Sequence, residues 1–129
     1  MNDRITLQDG ASPKEREIET ANWLISHDKK LTIRFLKESK IEGQRSPDAE
    51  LNHDKKWEIK NPEQDGEYTL YHAVRHGLTQ SDYLIIDLRH CKIYEDKAVA
   101  YLTKNFKLTK SWKSLWIITK SQKLLTFEK

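Results

Sequence analysis

Two acidic residues and a lysine form the group of side chains in this sequence with the clearest potential for chemistry. Glu58 and Lys60 alternate with Trp57 and Ile59, so on a β-strand the two charges share one face and the apolar side chains share the other. An antiparallel strand beginning near Asp48 would bring a second carboxylate to the same place. Two carboxylates bind a hard divalent cation, and a lysine orients water or neutralises charge on phosphorus. The set predicts a metal-assisted phosphodiesterase.

Each member of this set has an expected role. Asp48 and Glu58 would bind the divalent ion, which we expect to be Mg²⁺ or Mn²⁺ because both ligands are hard oxygens. Lys60 would position the nucleophile or stabilise the pentacovalent phosphate. If the substrate is RNA, its own 2′-hydroxyl could attack instead and the metal would be dispensable. The sequence leaves both routes open, and the alternative interpretation is a surface hairpin with ordinary ion pairs.

The residues around this set carry a resemblance to a known family. Arg45 to Ala49, Trp57 to Pro62 and Tyr83 to Arg89 together resemble the C-terminal toxin domain of contact-dependent growth inhibition (CdiA) proteins, in the tRNase branch of the PD-(D/E)xK nuclease superfamily. The likeness covers most of the chain from about residue 15 onward. It implies an α/β fold of restriction-endonuclease type, with a central mixed β-sheet flanked by helices.

The resemblance also implies a function and a partner. A toxin of this family would be delivered from the surface of the producing cell and would cleave tRNA in the cytoplasm of a target bacterium. Because such an enzyme would kill its own producer, a cognate immunity protein is expected to bind it. Two alternatives remain from the residues: a nuclease of the same fold that acts on DNA, and a catalytically silent module that binds nucleic acid.

A further acid is expected from a helix. Ser12 as N-cap and Pro13 at the first helical position predict a helix that runs to about Ser26. Glu17 lies at the edge of its apolar stripe, whereas Glu19 points almost opposite. Since nucleases of this superfamily commonly place an additional acid on a helix, we expect Glu17 rather than Glu19 to reach the active centre. The stripe itself consists of Ile18, Ala21, Leu24 and Ile25.

Polar and aromatic residues supply candidates of lower rank. Asn61, Thr69 and Gln80 occupy positions where the toxin family often has polar residues near the substrate, although Thr69 would equally serve as the N-cap of a helix. His72 and His76 are four residues apart on that helix and could chelate zinc, but nothing in the sequence brings further ligands to them. Four aromatic residues could stack on bases, while core packing is the more common role: Tyr68, Tyr71, Trp112 and Trp116.

Periodicity predicts the elements that position these residues. After the helix that begins at Ser12 come helices at 69–78 and 96–106 and strands at 31–36, 48–51, 56–60, 83–88, 114–119 and 124–127. The order helix, three strands, helix, strand agrees with the core that the resemblance implies. Residues 1–11 show little periodicity and are expected to be a flexible lead. Residues 12–129 are then expected to form a single nuclease toxin domain.

Composition narrows the class of protein. A chain of 129 residues with a mean hydropathy of −0.84 has the length of one water-exposed domain. Its apolar runs are too short to span a bilayer, so we expect no stable membrane association. Cys91 is the single cysteine, which suits a reducing compartment. Net charge is only +3, yet residues 92–129 carry nine lysines against three acids, a bias that favours contact with a phosphate backbone.

Overall fold

The backbone of residues 3–129, which the computed structural model describes, contains three helices packed on one mixed β-sheet. The elements follow the chain in this order: β1 (Ile5–Leu7), α1 (Glu15–His27), β2 (Ile33–Phe35), β3 (Ala49–Leu51), β4 (Lys56–Lys60), α2 (Thr69–Gln80), β5 (Tyr83–Asp87), α3 (Glu95–Leu108), β6 (Ser114–Ile118) and β7 (Leu124–Glu128). Each helix and strand predicted after residue 11 is present, with ends shifted by a few residues.

The sheet has seven strands, and their spatial order is the order of the sequence. The connections that contain a helix join parallel neighbours, which are β1 with β2, β4 with β5 and β5 with β6. The short connections join antiparallel neighbours, which are β2 with β3, β3 with β4 and β6 with β7. This arrangement follows from chain length, because a parallel pair needs a long crossover and an antiparallel pair does not.

Helices cover both faces of the sheet. In β5 the side chain of Ile85 packs in the cluster that contains the buried side of α1, while Leu84 and Ile86 pack in the cluster that contains α2 and α3. All three side chains are fully buried, as expected for a central strand of a sheet with helices on both sides. The α/β class and the central mixed sheet with flanking helices are therefore confirmed.

The β3–β4 hairpin sets the register of the acidic residues. Ala49 lies opposite Trp57, and the backbone N–H of Asp48 donates to the carbonyl of Trp57 at 3.0 Å. The connection includes Asn52 and His53 with φ of 54° and 58°, a left-handed conformation that asparagine tolerates well. The antiparallel pairing expected between the Asp48 strand and the Glu58 strand is present.

The N-terminal segment differs from the expectation of a flexible lead over residues 1–11. Ile5–Leu7 forms a strand that pairs in parallel with β2, and Ile5 is buried. A three-residue strand offers no measurable periodicity, and its partner lies far along the chain, so no local pattern could predict it. Residues 1 and 2 of the expected lead lie outside the described residues.

The start of α1 also differs from the prediction. The helix begins at Glu15 rather than next to Ser12, and Lys14 occupies the N-cap position. The backbone N–H of Lys14 donates to Oε1 of Glu17 at 3.2 Å, so a carboxylate inside the helix satisfies this donor.

Across residues 3–129, no helix has both the length and the apolar character needed to cross a bilayer.

Candidate active site

A cleft of about 960 Å³ opens where the first turn of α1, the loop between β2 and β3, strand β4 and helix α2 meet. Asp48 stands immediately before β3, and the two charged residues of β4 are Glu58 and Lys60. All three line the cleft together with Glu17 of α1. The structure thus brings together the four residues that the sequence singled out for catalysis.

Asp48 and Glu58 form a pair of acids in this cleft, with Asp48 half-buried and Glu58 buried. Oδ2 of Asp48 accepts the backbone N–H of Ile59 at 2.8 Å, which fixes the carboxyl group against β4. Glu58 is only 5% exposed. Burial raises the pKa of Asp48. Burial and the neighbouring charge of Asp48 raise the pKa of Glu58 to about 8, so Glu58 holds a proton at neutral pH.

One oxygen of this pair lacks a hydrogen-bond partner within residues 3–129. Oε1 of Glu58 is buried without a hydrogen bond among the described residues, an arrangement that costs free energy in a protein interior. A hard cation would satisfy this oxygen and favour the ionised form of both acids. No group of three or more His, Cys, Asp or Glu side chains in residues 3–129 gathers in a way that could hold a metal. Two carboxylates are enough for an ion such as Mg²⁺, which takes one or two carboxylates and keeps waters or substrate oxygens as its other ligands.

Lys60 points into the same cleft from the same face of β4. Its Nζ lies 3.4 Å from Oε2 of Glu58 and 2.5 Å from Nδ1 of His76 on α2. The positive charge of Lys60 lowers the pKa of His76, so the imidazole is neutral at neutral pH and its Nδ1 accepts a hydrogen bond from the ammonium group. The ammonium group is thereby held between an acid and a neutral base.

His76 is a cleft residue that the sequence analysis did not assign to this site. The sequence suggested only a zinc pair with His72, and the structure places His76 against Lys60 instead. Its contact depends on how α2 crosses β4, which no local pattern reports. Lys14 is a second such residue, because it lines the cleft and its charge acts on Glu17 and Asp48.

The two helix acids have different surroundings. Glu17 lines the cleft, and burial together with the charge of Asp48 raises its pKa. Glu19 instead pairs with Arg16 at 2.9 Å and with Nε2 of His90 at 3.3 Å, and its hydrogen bond with Arg16 lowers its pKa. The geometry therefore agrees with the expectation that Glu17, rather than Glu19, faces the acid pair.

The three expected substrate-contacting residues have separate positions. Gln80 lines the cleft, and its Oε1 accepts the backbone N–H of Ser46 at 2.7 Å, which holds the segment that leads to Asp48. Thr69 is the first residue of α2, after the N-cap Tyr68, so it is not the N-cap. Thr69 also lies outside the lining of the cleft, because helix α2 approaches the site with its C-terminal half.

Asn61 lines the cleft and joins a buried network beneath it. Its Nδ2 donates to the hydroxyl of Thr20 at 2.8 Å, and that hydroxyl donates to Oδ2 of Asp87 at 2.6 Å. Arg89 binds the same carboxylate, with Nη2 at 2.8 Å from Oδ2. These bonds tie the residue that follows β4 to α1 and β5.

Comparison with known proteins finds a matching family and a similar solved structure. The model of the contact-dependent growth inhibition CdiA C-terminal domain family matches residues 45–124. The fold is similar to that of the CdiA-CT/CdiI toxin and immunity complex from Burkholderia pseudomallei, with a TM-score of 0.66, 12% sequence identity, and coverage of 96% of this chain and 99% of that chain. No curated protein matches the chain in sequence. The matched segment contains Asp48, Glu58, Lys60 and His76, whereas Glu17 precedes it.

Proposed function

Because this chain belongs to the contact-dependent growth inhibition CdiA C-terminal domain family, we propose that it is a toxin that cleaves tRNA in the cytoplasm of a target bacterium. The observation that carries the proposal is the contact of Lys60 with Glu58 beside Asp48 in an open cleft. Acid, acid and lysine are the side chains that phosphodiester cleavage uses. A mixed β-sheet with helices on both faces is compatible with a PD-(D/E)xK core, which we propose for this chain.

The proposed reaction assigns one role to each residue. The ammonium group of Lys60 lies where it can neutralise charge that develops on the scissile phosphate, and burial strengthens that interaction. Neutral His76 fixes its direction. Glu17 is a candidate general base, because burial and Asp48 raise its pKa toward the working pH.

Asp48 and Glu58 would hold the metal ion, which we propose to be Mg²⁺ or Mn²⁺. Oε1 of Glu58, which has no hydrogen-bond partner in the part of the chain that the structure describes, and the raised pKa of each acid support this assignment. When bound, the ion would supply positive charge for the developing phosphorane and a more acidic water. RNA also offers its 2′-hydroxyl as nucleophile, and in that route Lys60 and Glu17 would act without the ion.

A cognate immunity protein is the proposed partner. The similar structure from Burkholderia pseudomallei is described as a toxin and immunity complex, and an enzyme that cleaves tRNA would otherwise harm the cell that makes it. Delivery from the surface of the producing cell is proposed on the same family membership.

Cleavage of total tRNA and of plasmid DNA by the purified domain tests the proposal. Both substrates are incubated with Mg²⁺ and with EDTA and analysed on denaturing gels, with Asp48→Asn and Lys60→Ala as the variants and Glu19→Gln as the matched control. We expect discrete tRNA fragments from the wild type and from Glu19→Gln, and none from the other two. The EDTA lanes distinguish the metal route from the 2′-hydroxyl route.

Two outcomes would replace the proposal. Cut DNA with intact tRNA would keep the site and change the substrate, which is the case of a DNA nuclease. No cleavage of either, with retained binding of nucleic acid, would leave a catalytically silent binding module.

A further inference from the structure

One exposed face of α2 carries rings beside the cleft. This tyrosine face consists of Tyr68, Tyr71, His72 and Arg75, and Tyr68 and Tyr71 are 59% and 40% exposed. The three rings lie side by side, with centroids 5.4 to 6.3 Å apart. Large exposed aromatic side chains that cluster in this way mark binding surfaces, since they give up burial in the core.

The rings are held in place while part of their surface stays free. Nη1 of Arg75 donates to the hydroxyl of Tyr71 at 2.6 Å, and its guanidinium lies 5.9 Å from the centre of that ring. Tyr68 meets Tyr71 and His72 at interplanar angles of 72° and 55°. Within residues 3–129 no ring stacks flat on Tyr68, and more than half of its surface is exposed.

The charges around this face suit a polyanion. Helix α2 contains Arg75 and two histidines and carries no acidic residue. Tyr101 of α3 lies near Tyr71. The pKa of Tyr101 is raised mainly by burial, and the nearby Tyr71 raises it further. Lys97 and Lys104 lie about one turn to either side of Tyr101 and are exposed. Phosphate groups would therefore meet the positive charges of Arg75 and these two lysines, while Glu67 beside Tyr68 is an exposed acid at the other end of the face.

The tyrosine face leads into the cleft. Tyr68, His72 and His76 are four residues apart, so they follow one ridge of α2, and His76 contacts Lys60. Eight residues of helix span about 12 Å. That length corresponds to roughly three stacked nucleotides, at about 3.4 Å for each.

We propose that the tyrosine face is a stacking platform for unpaired RNA nucleotides that flank the scissile phosphate. The inference rests on the proposed function and adds a preference for single-stranded segments, such as the loops of a folded RNA. Bases stack on aromatic rings and on guanidinium groups in a way that tolerates any sequence. Paired bases in a helix have no free face to offer these rings.

Binding of fluorescein-labelled RNA tests the platform. Anisotropy is measured for a single-stranded 12-mer and for a blunt duplex of the same length, with each protein carrying Asp48→Asn to prevent cleavage. Tyr68→Ala and Tyr71→Ala are compared with Tyr68→Phe and Tyr71→Phe, which keep the ring. Tyr94→Ala is the matched surface control, because Tyr94 is 83% exposed and lies outside the tyrosine face.

We expect each alanine variant of the face to bind the single strand about tenfold more weakly, in line with the loss of one stacked base. The phenylalanine variants and Tyr94→Ala should stay within about twofold of the parent, and duplex affinity should change less than about twofold throughout. A common melting temperature shows that the variants are folded.

Equal affinity of the alanine and phenylalanine variants for the single strand would overturn the platform. If wild type still cleaves RNA in that case, the platform alone is wrong. If wild type neither cleaves nor binds RNA, the proposed function is wrong as well. Alanine variants that keep their affinity for RNA but no longer bind an immunity protein would assign this face to a protein partner and would also overturn the platform.

Discussion

The side chain of Lys60 donates to Nδ1 of His76 across 2.5 Å, and the two residues come from a strand and a helix that are separated along the chain. Lys60 also contacts Oε2 of Glu58 at 3.4 Å. A neutral imidazole on one side and an acid on the other leave the ammonium group little freedom of direction. His76 is therefore a positioning residue for Lys60.

His76→Ala is expected to lower the turnover number roughly tenfold, which corresponds to the loss of one hydrogen bond to a charged group. The KM should change little, since Lys60 keeps its charge. His76→Asn retains an acceptor near the position of Nδ1 and should recover most of the rate. Steady-state cleavage of tRNA measures these values, and equal rates for His76→Ala and wild type would contradict the positioning role.

The pH dependence of the same rate gives a second readout of this contact. The charge of Lys60 lowers the pKa of His76, so His76 takes up a proton only as the pH falls below its ordinary range. Protonation then removes the acceptor and adds a repulsive charge. We expect the wild-type rate to fall on the acid side more steeply than the rate of His76→Asn, whose side chain does not titrate.

The stability of the metal-free protein should fall as the pH rises from about 4.5 to about 8. The pKa of Glu58 is about 8 in the fold against 4.5 for an unperturbed glutamate, so the folded state binds more protons than the unfolded state in this interval. The loss amounts to at most about 5 kcal/mol, because one pKa unit corresponds to about 1.4 kcal/mol. Urea unfolding at pH 5 and pH 8 should show a smaller difference for Glu58→Gln than for wild type.

Mg²⁺ or Mn²⁺ should raise the melting temperature, and more at pH 8 than at pH 5.5. Ionised Asp48 and Glu58 bind the ion, whereas protons compete with it at low pH. An ion present at about 100 times its Kd adds about 2.7 kcal/mol to the free energy of unfolding. Differential scanning fluorimetry measures the shift, and a shift of the same size in Asp48→Asn and Glu58→Gln would place the ion elsewhere.

Glu17→Gln and Glu19→Gln should separate the two helix acids. Glu17 faces Asp48 in the cleft, whereas Glu19 is bound by Arg16 and His90. We expect Glu17→Gln to lower turnover by about 10²-fold, as the loss of a general base does. Glu19→Gln should stay within about twofold, since an exposed ion pair contributes little. The reverse order in single-turnover cleavage would assign the helix acid to Glu19.

The sequence alone predicted the helices and strands after residue 11 and pointed to the acid and lysine set. Alternation in β4 placed Glu58 and Lys60 on one face, and helical spacing placed Glu17 at the edge of a buried stripe, because these patterns depend only on the local period of the backbone. The antiparallel pairing that brings in Asp48 was predicted from the short connection between its strand and β4.

Tertiary structure alone decided which other residues reach the site. His76 contacts Lys60, and Thr69 lies outside the cleft. Both positions depend on the angle at which α2 crosses β4. Packing on the sheet sets that angle, so local periodicity cannot predict it. Strand Ile5–Leu7 exists through its partner β2 and has no pattern of its own. The raised pKa of Glu58 has the same origin: burial beside a second acid is a property of the assembled fold.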